Sequence, residues 1–217
     1  MNRRNFSLVV SSLALPPLSG LLVGTGHAQD MVPKLGKEYL ELAKSFPVDV
    51  PVGKVEVIEF FSYNCPHCAA FEPALEVWAR KLPPQVVFKR MPVPFVGSDI
   101  EAKQRLYYTL EAMGKLDPFH LKIFEAIHTA RQPLFGDEKI LAWAQSQPGL
   151  DGKKFADLFK SFSVTGKAKR AAQVVADYKV DGVPAFGVSG RYYADGVMSG
   201  NLNRTLEVVD YLIKQTK

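Results

Sequence analysis

An α/β fold, a small sheet domain interrupted by an all-helical insertion, is predicted by three observations. The run Val55–Phe61 is dense in β-branched and aromatic residues; a stretch at helical spacing follows it, and then a second strand-like run, Val86–Met91. From Ser98 to about Tyr178 the apolar residues recur only at helical spacing. Strand patterning then returns at Val183–Val188 and Arg191–Tyr193, and one more helical stripe closes the chain.

The elements follow in order. Residues 29–53 end in Phe46-Pro47-Val48-Asp49-Val50-Pro51, with room for a short edge strand near Glu38–Leu42. After Val55–Phe61, the residues Phe71, Leu75, Trp78 and Leu82 predict a helix that Pro73 kinks and Pro83-Pro84 ends. Val86–Met91 is closed by Pro92 and Pro94. Strand, helix and strand of these lengths predict a right-handed β-α-β unit with parallel strands. The helical block carries five stripes. Leu106, Leu110 and Met113 form the first; Phe119, Ile123 and Ile127 form the second, started by Asp117-Pro118. Asp137–Gln147, ended by Pro148-Gly149, is the third, Phe155, Leu158 and Phe159 mark the fourth, and Ala168, Ala171, Ala172, Val175 and Tyr178 the fifth. Ser189-Gly190 predicts a hairpin turn, and Leu202, Leu206, Val209 and Ile213 the last helix. The sheet domain is expected at 29–97 and 165–217, and the insertion at 98–164.

Residues 1–28 have the pattern of a cleavable export signal. Arg3 and Arg4 precede an apolar run from Leu8 to Val23, and Gly26-His27-Ala28 presents small residues where a signal peptidase cuts. Pro16-Pro17 breaks the run, and a membrane span needs about 20 predominantly apolar residues, so an anchor is disfavoured. Arg3-Arg4-Asn5-Phe6 also fits a twin-arginine signal, which leaves the route open between that and ordinary secretion. Without this segment, which holds two Arg and no acid, 25 basic residues face 22 acidic ones, a net of +3 against +5 for the whole chain. The basic residues are scattered. The densest group, Lys167-Ala168-Lys169-Arg170, reads as the solvated face of a helix, and nucleic-acid binding is not expected.

The chemistry sits in Cys65-Pro66-His67-Cys68, which holds both cysteines of the chain. A pair two residues apart cannot staple distant parts of a fold, and an exported protein held by structural bridges carries more of them. Where a strand ends and a helix begins, the N–H groups and the helix dipole favour an anion, so the Cys65 thiol is expected to be acidic and Cys68, one turn on, more buried. A metal site needs further ligands, and beyond the signal only His67, His120, His128 and carboxylates remain; no metal and no other cofactor is expected. A protonated His67 would stabilise the Cys65 thiolate and push the pair toward being an oxidant. Glu59 interrupts the apolar strand six residues before Cys65. It is either a buried proton acceptor for Cys68 or an outward residue on an edge strand. His120 and His128 read as surface or packing residues, and Phe95, Phe119, Phe124, Phe135 and Trp143 as core. Only about 5–6% of X–Pro bonds are cis, so the residues alone leave the Val183-Pro184 bond open.

Glu59-Phe60-Phe61-Ser62-Tyr63-Asn64-Cys65-Pro66-His67-Cys68, together with Gly182-Val183-Pro184-Ala185-Phe186, resembles the DsbA family of bacterial periplasmic thiol:disulfide oxidoreductases. The resemblance covers essentially the whole chain after the signal and implies a thioredoxin fold with a helical insertion. It implies that Cys65 is the exposed nucleophile, Cys68 its buried partner and His67 the stabiliser of the thiolate. Pro184 would be cis and face the disulfide, Val183 would offer backbone hydrogen bonds to a substrate, and Glu59 would be the acid beneath the dithiol. The family often sets a lysine near that acid; Lys89 and Arg90 compete for the place. Pro92 and Pro94 make the following segment unlike that of some members. The implied activity is donation of the Cys65-Cys68 disulfide to reduced, unfolded exported proteins through a mixed disulfide. A membrane, quinone-linked partner of the DsbB type would reoxidise a monomeric enzyme. The alternatives are a disulfide isomerase or reductase, and a non-catalytic periplasmic chaperone or binding module with a static bridge.

Overall fold

Five strands make one mixed sheet in a computed structural model that describes residues 32–132 and 134–216; the expected export signal lies outside these residues. The strands are β1 (Leu40–Glu41), β2 (Val55–Phe61), β3 (Val86–Pro92), β4 (Ala185–Val188) and β5 (Tyr192–Asp195), in the spatial order β1-β5-β4-β2-β3. β2 is central. It pairs parallel with β3 and antiparallel with β4, so all seven of its residues are buried. The parallel pair is joined by helix α1 (Pro66–Ala79), which continues past Pro73, giving the β-α-β unit that the pattern predicts.

Between β3 and β4 lie α2 (Ile100–Ala112), α3 (Leu116–Phe124) with a single π turn (Glu125–Thr129), α4 (Gly136–Ser146), α5 (Gly152–Phe159) and α6 (Phe162–Asp177). Residue 165 falls inside α6. After β5 come a short helix, α7 (Gly196–Ser199), that the pattern does not predict, and α8 (Leu202–Gln215). Asp195 caps α7 by accepting the Met198 N–H at 2.8 Å.

Side chains of β2 alternate between two layers. Val55 and Val57 pack with Phe71 and Leu75 of α1 and with Val208 and Val209 of α8. Ile58 and Phe60 pack with Val175 of α6 and Tyr178 just beyond it. The helical block has its own core around Leu106, Ile123, Ile140 and Phe155, and that core continues into Phe61, Tyr63, Cys65 and Cys68. The dithiol therefore sits where the helical core meets the end of the central strand.

Two expectations are corrected. The ladder of β4 begins at Ala185 rather than Val183, since Pro184 has no N–H to give to it; Ala185 pairs with Phe60. Phe95 and Phe135 are exposed rather than core; Phe135 ends the loop before α4 and lies 4.9 Å from the Lys103 Nζ, ring centroid to nitrogen. His120 is buried and His128 half-buried, and both hold Tyr63, as described below.

The β4–β5 turn has Ser189 at φ 50° and Gly190 at φ 63°, the two left-handed positions of a tight type I′ hairpin. A Cβ on Gly190 would meet the Phe46 carbonyl oxygen at 2.2 Å. Gly190→Ala is therefore expected to destabilise the fold by more than about 1 kcal/mol, from strain and clash together. Denaturant unfolding measures it; a midpoint equal to that of the wild type would contradict this account of the turn.

Candidate active site

Ser62, Tyr63 and Asn64 carry the chain from β2 into α1, and Cys65 is the N-cap, in extended conformation (φ −88°, ψ 116°). Pro66 then opens the helix, where a missing N–H costs nothing. The loop after β3 clamps this corner. Asn64 Nδ2 donates to the carbonyls of Val96 (2.9 Å) and Ser98 (2.8 Å). Gly97, at φ 79°, lies so close that a Cβ there would be 2.5 Å from the Asn64 Cβ.

Cys65 Sγ accepts the Cys68 N–H at 3.4 Å, and both cysteines are free thiols. Cys65 is 5% exposed and Cys68 0%. Cys65 is thus the more open of the two, but it is largely covered rather than fully exposed, because the Val183-Pro184 corner lies over it. Its Sγ is 3.6 Å from the Val183 carbonyl oxygen, and the Val183-Pro184 bond is cis. Two motifs 118 residues apart in sequence meet here.

The two thiols differ sharply in acidity. Cys65 is lowered from 9.0 to about 6, chiefly by the hydrogen bond with the Cys68 thiol. Burial opposes the shift, the Cys68 and His67 N–H groups add to it, and the charge of His67 adds least. The imidazole is therefore a smaller contributor than the motif predicts, and the backbone of the first helical turn a larger one. Cys68 is pushed far up, first by burial, then by the hydrogen bond with Cys65 and the nearby Glu59 charge. At pH 7 a pKa of about 6 corresponds to about ten thiolates per thiol at Cys65.

Beneath the dithiol lies a buried charge cluster. Parallel pairing sets Glu59 opposite Arg90, while Lys89 points to the other face and pairs with Glu56 at 2.8 Å. Arg90 is thus the basic partner of Glu59, Nε to Oε2 at 3.3 Å. It also reaches Glu72 (2.6 Å) and Glu76 (2.7 Å), both on α1. Glu59 has no exposed surface and is not on an edge strand. Burial, and next the charge of Glu72, raise its carboxyl well above the usual range, and Arg90 offsets only part of this. Glu72 is raised by burial too, but His120 and Arg90 outweigh that and leave it low.

The sequence reading misses Tyr63, Glu72 and His120. Tyr63 Oη and His120 Nδ1 are 2.8 Å apart, and His128 Nε2–H donates to the Tyr63 carbonyl at 2.9 Å. The helical block thereby holds the residue two positions before Cys65. A signal for Glu72 does exist: it falls in the buried stripe of α1 with Cys68, Phe71 and Leu75.

A groove of about 1230 Å³ opens beside the dithiol; Leu42, Phe46, His67, Val183, Pro184 and Met198 are among the residues lining it. Among the described residues no group of three or more His, Cys, Asp or Glu is placed to hold a metal ion, and no helix is long and apolar enough to cross a membrane.

A strand ending in an acidic thiol at a helix N-terminus, with a cis-proline corner against it, defines a dithiol oxidoreductase of the thioredoxin class. Residues 56–207 match the DSBA-like thioredoxin domain. Over 182 residues the chain is 45% identical to the thiol:disulfide interchange protein DsbA of Bordetella parapertussis, covering 83% of this chain and 85% of that protein. Over 210 residues it is 37% identical to the DsbA of Pseudomonas aeruginosa, covering 97% and 96%. The crystal structure of Pseudomonas aeruginosa DsbA superposes with a TM-score of 0.79 at 38% identity, over 85% of this chain and 94% of that one. DsbA from Xylella fastidiosa superposes with a TM-score of 0.78 at 28% identity, over 85% and 98%. The chain belongs to the DsbA family, and it is a protein thiol:disulfide oxidoreductase that acts through a redox-active cysteine pair.

The order of contributions at Cys65 is measurable. Thiolate ultraviolet absorbance of the reduced protein is expected to titrate with a midpoint of about 6. Cys68→Ala is expected to raise that midpoint more than His67→Ala does. The reverse order would place the imidazole first.

Proposed function

We propose that the oxidised Cys65-Cys68 pair is donated to reduced, unfolded proteins exported to the periplasm. A substrate thiolate attacks Cys65 Sγ, the Cys65–Cys68 bond breaks, and its electron pair stays on Cys68, which takes up a proton. A second substrate thiolate then attacks the substrate sulfur of the mixed disulfide and displaces Cys65 as a thiolate. The substrate leaves with a disulfide, oxidised by two electrons, and the enzyme keeps them as its dithiol.

The observation that carries this reading is the split acidity at the head of α1, with Cys65 held near 6 and Cys68 far above it. An acidic thiol leaves readily, and a stabilised thiolate favours the reduced enzyme, which makes the disulfide oxidising. Cys65 is the nucleophile and leaving group in this scheme, Cys68 the buried resolving partner, and His67 a lesser stabiliser of the thiolate. Glu59 exchanges the proton of Cys68. Val183 supplies main-chain groups to an extended substrate and Pro184 shapes that edge. The apolar lining of the groove suits unfolded segments of many sequences. The cysteine pair serves as the redox centre without a metal or organic cofactor.

The same reading includes export through the signal at 1–28, by the Sec or the twin-arginine route, and a monomeric protein of which 98–164 is the helical insertion. A membrane DsbB-type, quinone-linked partner accepts the electrons and restores the disulfide.

Cys68→Ala leaves the mixed disulfide without its internal resolving thiol. In cells this variant is expected to accumulate protein adducts that reducing agent releases and that Cys65→Ala lacks; their absence would count against donation. For Glu59, the measurement is the rate at which Cys68 resolves a glutathione adduct on Cys65. Glu59→Gln is expected to slow it about 100-fold, as befits a positioned proton acceptor. An unchanged rate would remove Glu59 from the reaction.

A further inference from the structure

His120 belongs to α3, in the helical block, yet its ring lies against the cluster under the dithiol. Its Nδ1 faces Tyr63 Oη at 2.8 Å and its Nε2 faces Glu72 Oε2 at 3.5 Å. All three side chains are buried, and neither His120 Nε2 nor Glu72 Oε2 has a hydrogen-bond partner among the described residues. The other oxygen of Glu72 takes the Arg90 guanidinium at 2.6 Å, and that guanidinium also lies against Glu59, at 3.3 Å. The groups facing His120 are Tyr63 after β2, Glu72 and Glu76 on α1, Arg90 on β3 and Tyr107 on α2, with Glu59 of β2 behind Arg90 and His128 beyond Phe124. Three carboxylates thus meet the Arg90 guanidinium, Glu76, partly exposed, also having Arg80 at 3.4 Å, and His120 is the imidazole that lies against Glu72 and can add positive charge there.

We propose that His120 is a positioning residue for the proton that Cys68 exchanges: through Glu72 it sets how much of the Arg90 charge is left for Glu59. This rests on Glu59 being the proton partner of Cys68. In the oxidised protein Glu59 carries the proton, Glu72 holds Arg90, and His120 is neutral, with Tyr63 O–H donating to Nδ1 and Nε2–H toward Glu72. Burial lowers the basicity of the ring, with Glu72 opposing. When substrate thiolate opens the disulfide, the electron pair goes to Cys68 and the Glu59 proton follows it. Glu59 is left as a carboxylate and draws on Arg90. Glu72 then loses part of its countercharge, and the field at His120 becomes more negative. His120 must therefore bind a proton more tightly in the reduced protein than in the oxidised one. Linkage makes this reciprocal: a proton on His120 favours the reduced state.

The test is nuclear magnetic resonance titration of ring-labelled histidine in the oxidised and the reduced protein, with the His120 signal identified by its loss in His120→Asn. The expected result is a proton affinity at His120 roughly fivefold or more higher after reduction, the lower end of ordinary site-to-site coupling. In Glu59→Gln this rise is expected to vanish. A rise of less than about twofold in the wild type, or a full rise retained in Glu59→Gln, overturns the proposal. A second readout is the pH slope of the equilibrium with glutathione. It is expected to be shallower in His120→Asn between the two His120 midpoints, and an unchanged slope also overturns the proposal. The glutathione-adduct resolution rate of Glu59→Gln judges the role of Glu59 separately, so failure of that role and failure of the His120 coupling give different results.

Discussion

The first turn of α1 is a place where negative charge is favoured, and the rest of the site is arranged around that fact. Cys65 caps the helix, so its sulfur meets the Cys68 N–H and thiol as well as the dipole of the aligned peptides. A thiolate in that position needs little help from His67, whose charge adds least to the shift. The position itself depends on β2. The strand is buried along its whole length between β3 and β4, and a buried strand of fixed register delivers the next residues to one spot.

That same register decides what lies below the sulfurs. A slip of one residue between β2 and β3 would bring Lys89 rather than Arg90 to the α1 face, since side chains alternate. The two are not equivalent. Arg90 makes contacts with Glu59, Glu72 and Glu76 at once, which the planar, many-donor guanidinium allows and a lysine ammonium would not satisfy in the same geometry. Arg90 is shared among all three, and the second cation, Arg80, reaches only Glu76 (3.4 Å), so the buried Glu59 is left short of positive charge. Glu59 has no exposed surface, and burial holds its carboxyl well above the usual range, because a buried carboxylate short of countercharge is costly.

Much of this was legible in the sequence. The apolar density of Val55–Phe61, the helical spacing after Cys65 and the change to purely helical patterning give the order of elements, since each rests on local periodicity. The Cys65-Pro66-His67-Cys68 motif locates the reactive sulfurs because its chemistry is local as well. What was not legible depends on pairing over distance. Lys89 and Arg90 are neighbours in sequence, and only the parallel register separates them. His120 looked like an ordinary packing residue because its partners, Tyr63 and Glu72, lie on other elements. Phe135 looked like core because aromatic character says nothing of which side of a loop meets solvent. Local pattern gave no sign that the Val183 carbonyl meets Cys65, 118 residues away; only the family resemblance pointed there.

The helical block does more than cover the sheet. Its core is continuous with Phe61, Tyr63 and both cysteines, and Tyr63 is held by His120 at its hydroxyl and by His128 at its carbonyl. On the other side, Tyr107 of α2 donates to the Arg90 carbonyl at 2.9 Å, and Gln104 of α2 to the Pro92 carbonyl at 2.9 Å. The block thus grips the strand that ends in the dithiol and the strand that carries its counter-ion. The acidity of Cys65 depends on the Cys68 thiol and N–H lying against its sulfur, and the proton affinity of Glu59 depends on where Arg90 points. Both are distances between the two strands and α1, and the block holds them from outside. The helical block beside so small a sheet then has a physical reason: it fixes the geometry that keeps one sulfur acidic and the other neutral.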